Sequence, residues 1–130
     1  MDINELINKA KNAREHSYSP YSGFKVGAAL KTKNEMVFTG CNIENSSYGL
    51  SICAEQEAIF KAISAGERDL DTIAVVTDSD KLTTPCGACR QVMWEFSKDM
   101  TVVVANLKGE KKEFKIKELL AHPFGKDPLD

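Results

Sequence analysis

Ile3, Leu6, Ile7, Ala10 and Ala13 recur every three or four positions near the start of the chain, the spacing that lines one face of a helix. Asp2 and Glu5 stand three apart at its head, the pattern of a capping box. The periodicity then changes. After a polar loop, Ser17–Gly23, residues 24–31 and 35–43 read as two strands joined by a turn around Lys33 and Asn34, a hairpin. The second strand leads into a long loop that ends at Gly49. Ser51 predicts the N-cap of a helix over about 52–65, which carries Ile52, Ile59, Phe60 and Ile63 and stops at Gly66. Thr72–Thr77 and Thr101–Ala105 are short β-branched runs, as in strands buried on both faces. Between them, Pro85 marks the first turn of a helix through Val92, Met93 and Phe96. An edge strand at 112–116, a short helix at 116–120 and an irregular tail over Pro123–Asp130 complete the chain. Strands alternating with helices predict an α/β fold, a three-layer α-β-α sandwich around a five-stranded mixed sheet.

Length and charge narrow the function. The 130 residues fit one domain, 1–130, with no internal repeat or low-complexity segment. A chain of that length buries about two-thirds of its unfolded surface and needs no disulfides to fold. A net charge of -2 on 28% charged residues of both signs gives no basic footprint for nucleic acid and no polybasic membrane patch. The polar, acidic start Met1–Glu5 does not have the form of a signal peptide. No apolar run approaches the roughly 18 residues of a membrane span. The expected setting is therefore the cytoplasm. There the four cysteines are reduced, and metal binding or catalysis outweighs disulfide formation.

Three of those cysteines carry the chemistry. Cys86 and Cys89 lie at i and i+3 on one face of a helix start, and Cys53 sits in the first turn of the other central helix. Each helix N-terminus carries about half a positive charge and favours thiolate. Two such ends converging on one point would set three thiolates around a cation, with a fourth zinc position left for water. Glu55, two residues after Cys53, points about 200° away from it on an ideal helix but reaches the site from a frayed first turn. A carboxylate there serves as general acid and base. Other readings fit the same thiols. A cytosolic CxxC at a strand-to-helix junction also suits a redox pair, although the Trp-Cys dipeptide of thioredoxin-type motifs is absent. A structural four-cysteine site forms if Cys41 joins; otherwise Cys41 is a packed thiol. Alone, Glu55 reads as a solvated helix-start glutamate.

With these residues in view, the chain resembles the small homotetrameric cytidine deaminases that act on free nucleosides. The matching segments are Tyr18–Ser22, Phe24, Val26–Leu30, Asn42–Asn45, Tyr48-Gly49, Cys53-Ala54-Glu55 and Pro85–Gln91. Cysteine rather than histidine as the first ligand points to the nucleoside branch; deaminases that edit polynucleotides usually begin with His-x-Glu. The resemblance implies one Zn2+ per subunit, held by Cys53, Cys86 and Cys89. It implies that Glu55 takes a proton from the zinc water and that hydroxide attacks C4 of the cytosine ring. Glu55 then protonates the ring nitrogen and the departing amine, giving uridine and ammonia, a step of pyrimidine salvage. Asn42 and Glu44 match a ribose clamp, Phe24 a pyrimidine contact, and the Ala54 N–H a donor to the base carbonyl. Tyr48 and Phe124 match positions supplied by neighbouring subunits of a homotetramer. The implied partner is a small nucleoside, not nucleic acid or membrane. His16 and His122 are read as surface or packing residues, since three thiols account for the metal. The rival within the fold is a blasticidin-type deaminase, and outside it a zinc-stabilised binding module or CxxC redox protein.

One position departs from the family. Many three-cysteine relatives carry an arginine directly after the catalytic glutamate, where this chain has Gln56. Three thiolates on Zn2+ leave a net charge of -1, and a hydrogen bond from Gln56 brings no positive charge to offset it. The helix N-termini, with help from Arg90, are expected to supply the compensation.

Overall fold

The computed structural model describes residues 1–125. The expected irregular tail continues over 126–130, which lie outside the described residues.

Helix α1 (Ile3–Arg14) begins where the Asp2 carboxylate accepts the Glu5 N–H at 2.8 Å, as the sequence pattern anticipates. Strands β1 (Val26–Thr32) and β2 (Val37–Cys41) form the hairpin. Strand β1 starts two residues later than expected and runs one further, and β2 is shorter than expected at both ends, its start delayed where Asn34 accepts from the Thr32 hydroxyl and Glu35 turns the chain at φ 68°. A 3-10 turn at Tyr48–Leu50 precedes helix α2 (Ala54–Ser64). Strand β3 (Leu70–Thr77), helix α3 (Gly87–Phe96), strands β4 (Thr101–Asn106) and β5 (Lys111–Lys115) and the short helix α4 (Ile116–Leu119) follow.

The five strands form one mixed sheet in the order β2-β1-β3-β4-β5, with β3 and β4 parallel and the other pairs antiparallel. The apolar runs of β3 and β4 are buried on both faces. Ile73, Val75, Val102 and Val104 face α2 and α3, while Ala74, Val76, Val103 and Ala105 face α1 through Leu6 and Ala10. That is the three-layer α-β-α sandwich. Close approach of the helices depends on two glycines. A Cβ on Gly27 would stand 2.0 Å from Ala10 O on α1, and one on Gly40 would stand 2.4 Å from Ala54 O at the start of α2.

The start of α2 differs from expectation. Ser51 and Ile52 are not helical; Cys53, with φ -79° and ψ 152°, is the N-cap. Ile52 exchanges both backbone hydrogen bonds with Ile43 at 2.9 and 3.0 Å. This local pairing holds 51–52 extended and overrides the N-cap preference of serine. The Ser51 hydroxyl instead accepts from Asn45 N–H at 3.0 Å.

Candidate active site

Cys53 and Cys86 are the N-caps of α2 and α3, and neither side chain caps its own helix. Both thiols are thus left for another partner, beside helix ends whose first N–H groups have no intrahelical acceptor. Cys89, at the third position of α3, is fully buried. The three sulfurs lie within 4.8 Å of one another, with Cys86 and Cys89 Sγ 3.6 Å apart. Zinc–sulfur bonds of about 2.3 Å at tetrahedral angles put sulfurs about 3.8 Å apart, so the trio fits a zinc ion with small adjustments. Among the described residues this is the one Cys/His/Asp/Glu group set to hold a metal, and Cys41 is not part of it. A four-cysteine structural site is not formed. Cys41 is buried at the end of β2, and burial pushes its thiol pKa up.

Within the trio the Cys89 thiol interacts with Cys53. That contact pulls Cys53 down to about 7 and pushes Cys89 upward. Gln56 Nε2 lies 3.7 Å from Cys89 Sγ as a donor. Arg90 is occupied elsewhere. Its guanidinium donates to Pro85 O, Leu119 O and Thr84 Oγ1, each at 2.7 Å. It fixes the turn that leads into Cys86 and ties it to α4, rather than reaching the sulfurs.

Glu55 is 5% exposed. Because Cys53 is an extended N-cap and not a helical residue, the opposed directions of an ideal helix do not apply. The carboxyl and the thiol share one pocket. Burial raises the Glu55 pKa, opposed in part by its own amide N–H and by Cys89.

That pocket has a cavity volume of about 300 Å³, the size of a small-molecule site. Glu55, Cys53, Cys86 and Ala54 line it, as do Phe24, Asn42 and Glu44; Cys86 is exposed, whereas Glu55 and Ala54 are buried. Asn42 organises this second group. Its Nδ2 donates to Phe24 O at 2.7 Å and its Oδ1 accepts from Val26 N at 2.9 Å and from the Ser17 hydroxyl. Phe24 lies just ahead of β1, partly exposed, and its N–H donates to Ser22 Oγ at 3.0 Å. Glu44 accepts the Tyr21 and Ser22 N–H groups at 3.0 and 3.1 Å and the Ser22 hydroxyl, which holds its pKa down. Ile43, bridged to Tyr18 and Ile52, keeps the chain extended beyond β2, so Asn42 and Glu44 face the same way.

Tyr48 and Phe124 are not in this pocket; they are 79% and 83% exposed. Tyr48 lines a neighbouring cavity of about 310 Å³ that shares Glu44 and Ser51 with the first. Phe124 is pinned through its backbone: its N–H donates to Gln91 Oε1 at 3.0 Å and its carbonyl accepts Gln91 Nε2 at 2.6 Å. His16 and His122 are both exposed. Thr77, Thr83 and Thr84 also line the pocket. The sequence marks none of them, because Thr77 reads as the end of a buried strand and the other two as loop.

Comparison with known proteins places this site in a family. The model described as "Cytidine and deoxycytidylate deaminase zinc-binding region" matches residues 1–106. The chain is 50% identical over 131 residues to a cytidine deaminase of Halalkalibacterium halodurans, covering 100% of this chain and 99% of that one. It is 48% identical over 130 residues to a cytidine deaminase of Sporosarcina psychrophila, covering 99% and 96%. A crystal structure of cytidine deaminase from Burkholderia pseudomallei superposes with a TM-score of 0.93 at 49% identity, covering 95% of this chain and 100% of that one. With its trio of thiols and its full-length likeness to these proteins, the chain belongs to the zinc-binding cytidine and deoxycytidylate deaminase family.

Proposed function

We propose that this protein hydrolyses the C4 amino group of cytidine and deoxycytidine, giving uridine or deoxyuridine and ammonia, within pyrimidine salvage. The observation that carries the reading is the buried Glu55 carboxyl, in one pocket with Cys53 and Cys86 and with Asn42 and Glu44 on the same lining. Zinc held by Cys53, Cys86 and Cys89 supplies, when bound, the Lewis acidity that makes water a strong nucleophile at neutral pH. Glu55 takes the proton from that nucleophile as C4 is attacked. It returns that proton to the adjacent ring nitrogen, then takes the proton of the hydroxyl now on C4 and delivers it to the amine as the C–N bond breaks and the C4 carbonyl forms. Burial favours this exchange, because a carboxyl whose pKa is raised holds an accepted proton more firmly and can pass it on as an acid.

The remaining residues bind and orient. Glu44 is held ionised by the 21–22 loop and offers its carboxylate to sugar hydroxyls. Asn42 fixes Phe24 against the pyrimidine and presents its remaining amide hydrogen to the sugar. The Ala54 N–H, among the first of α2 and without an intrahelical acceptor, donates to the base carbonyl. Gln56 tempers the charge on Cys89 by hydrogen bonding.

The same reading makes 1–130 one domain that assembles as a homotetramer in the cytoplasm, with Tyr48 and Phe124 completing a neighbour's pocket. Tyr18, Tyr21, Tyr48 and Leu50 are all more than half exposed, an apolar display that suits burial against further copies. No helix among the described residues is long and apolar enough to cross a membrane. The test is an assay of the zinc-loaded protein on cytidine, deoxycytidine and blasticidin S, following base absorbance and ammonia together. One ammonia per pyrimidine nucleoside converted is expected; turnover of blasticidin S alone would overturn the nucleoside assignment.

A further inference from the structure

Thr77 ends β3 on the face that carries Ile73 and Val75, and its side chain forms part of the pocket wall. It is 5% exposed, and Oγ1 is buried with no hydrogen-bond partner among the described residues. An unpaired buried hydroxyl is destabilising, because it has given up water and gained no partner. Valine has the same shape and carries no such cost. The neighbouring threonines of the wall are already satisfied: Thr84 Oγ1 accepts from Arg90 at 2.7 Å, and Thr83 Oγ1 donates to Lys81 O at 3.4 Å. The other buried polar side-chain atom without a partner is Arg14 Nε, but that guanidinium is bonded to Asp78 and Glu15 through its other nitrogens.

The position of Thr77 says what the hydroxyl is for. It pairs in register with Val26, whose N–H is held by Asn42, next to Phe24. Val26 and Val75 also line the pocket, and with Thr83 and Thr84 already bonded elsewhere Thr77 carries the one threonine hydroxyl of this lining left to orient what enters.

We propose that Thr77 is a specificity-determining residue whose hydroxyl bonds a polar atom of the bound pyrimidine nucleoside, directly or through one water. The proposal rests on the deaminase reading given above. Oγ1 is covered in its present rotamer. The contact therefore requires a χ1 step of about 120° that brings the hydroxyl to the pocket side, with hydroxyl, methyl and hydrogen each moving on by one staggered position at Cβ. The cost of the unpaired hydroxyl is then relieved only with ligand present, which converts a defect of the free protein into ligand affinity.

The experiment compares wild type, Thr77→Val and Thr77→Ser as zinc-loaded proteins. Calorimetry measures uridine affinity, steady-state kinetics measure KM and kcat for cytidine, and scanning calorimetry measures Tm without ligand. Thr77→Val is expected to raise Tm while weakening uridine binding and raising KM by about 3- to 10-fold. Thr77→Ser, which keeps the hydroxyl, recovers most of that affinity. Unchanged binding by Thr77→Val overturns the proposal, as does equal weakening by both variants, which would make the methyl the contributor. Loss of folding in Thr77→Val and in a Thr77→Ala control also overturns it, by assigning the hydroxyl to the fold. A wild-type protein that neither binds uridine nor converts cytidine defeats the deaminase reading and this inference with it. A wild type that does both, beside an indifferent Thr77→Val, defeats this inference alone.

Discussion

At the scale of single residues, burial makes Glu55 both useful and destabilising. Its pKa in the folded protein is raised above the ordinary carboxylate value, so between the two values the folded state holds more protons than the unfolded state. Stability therefore falls as pH rises through that interval, and the penalty is complete above the folded pKa. Glu55→Gln removes the penalty. In the metal-free protein its Tm should exceed that of wild type by a margin that grows as pH rises above the ordinary carboxylate value, read by scanning calorimetry. A second prediction concerns Gln56, whose amide reaches Cys89 at 3.7 Å without bringing charge. Gln56→Arg should move the acidic limb of kcat/KM to lower pH by about one unit; an unmoved limb would show that the helix ends already balance the thiolates. Cys53, Glu55, Cys86 and Cys89 were legible in the sequence because a zinc site demands those atom types and few residues supply them. Arg90 and Thr77 were not. The partners of Arg90 include carbonyls from two segments 34 residues apart, Pro85 and Leu119, and Thr77 matters for a partner it lacks.

At the scale of elements, the site depends on where two helices begin. Periodicity locates α2 and α3 but misplaces the first residue of α2. The pairing of Ile52 with Ile43, nine residues earlier, is a bridge across a loop that single-residue propensity does not see. The shift of two residues from Ser51 to Cys53 changes the chemistry, since an extended N-cap brings Cys53 and Glu55 into the same pocket. Gly40 sets how closely that helix start lies on the sheet. A methyl there meets Ala54 O at 2.4 Å and Ala58 N at 2.8 Å, both backbone atoms that cannot swing aside. Gly40→Ala should lower the unfolding free energy by about 1–3 kcal/mol in a urea titration, and should lower zinc per chain by displacing Cys53. Full zinc content in a folded Gly40→Ala protein would show that the approach of α2 is not what assembles the trio.

At the scale of the whole molecule, the layers were legible and the surface was not. Unbroken apolar runs such as Thr72–Thr77 and Thr101–Ala105 imply helices on both faces, and the two sides of β3 and β4 are indeed covered by different helices. No periodicity shows which apolar residues stay exposed around the pocket: the family resemblance marked Tyr48, which is 79% exposed, but Leu50, at 72%, emerges only with the fold. The proposed burial of these side chains between subunits predicts a solution mass by light scattering of about four times the 14.4 kDa chain; a monomeric mass would leave the pocket to be completed by this chain alone. All three scales meet at the carboxyl beside the thiols. The most direct measurement is the loss of cytidine absorbance, with zinc content determined on the same preparations of wild type and Glu55→Gln. The account predicts one zinc per chain in both proteins and a fall in kcat of at least about 100-fold in the variant. A variant that keeps its zinc and still converts cytidine at the wild-type rate would contradict it.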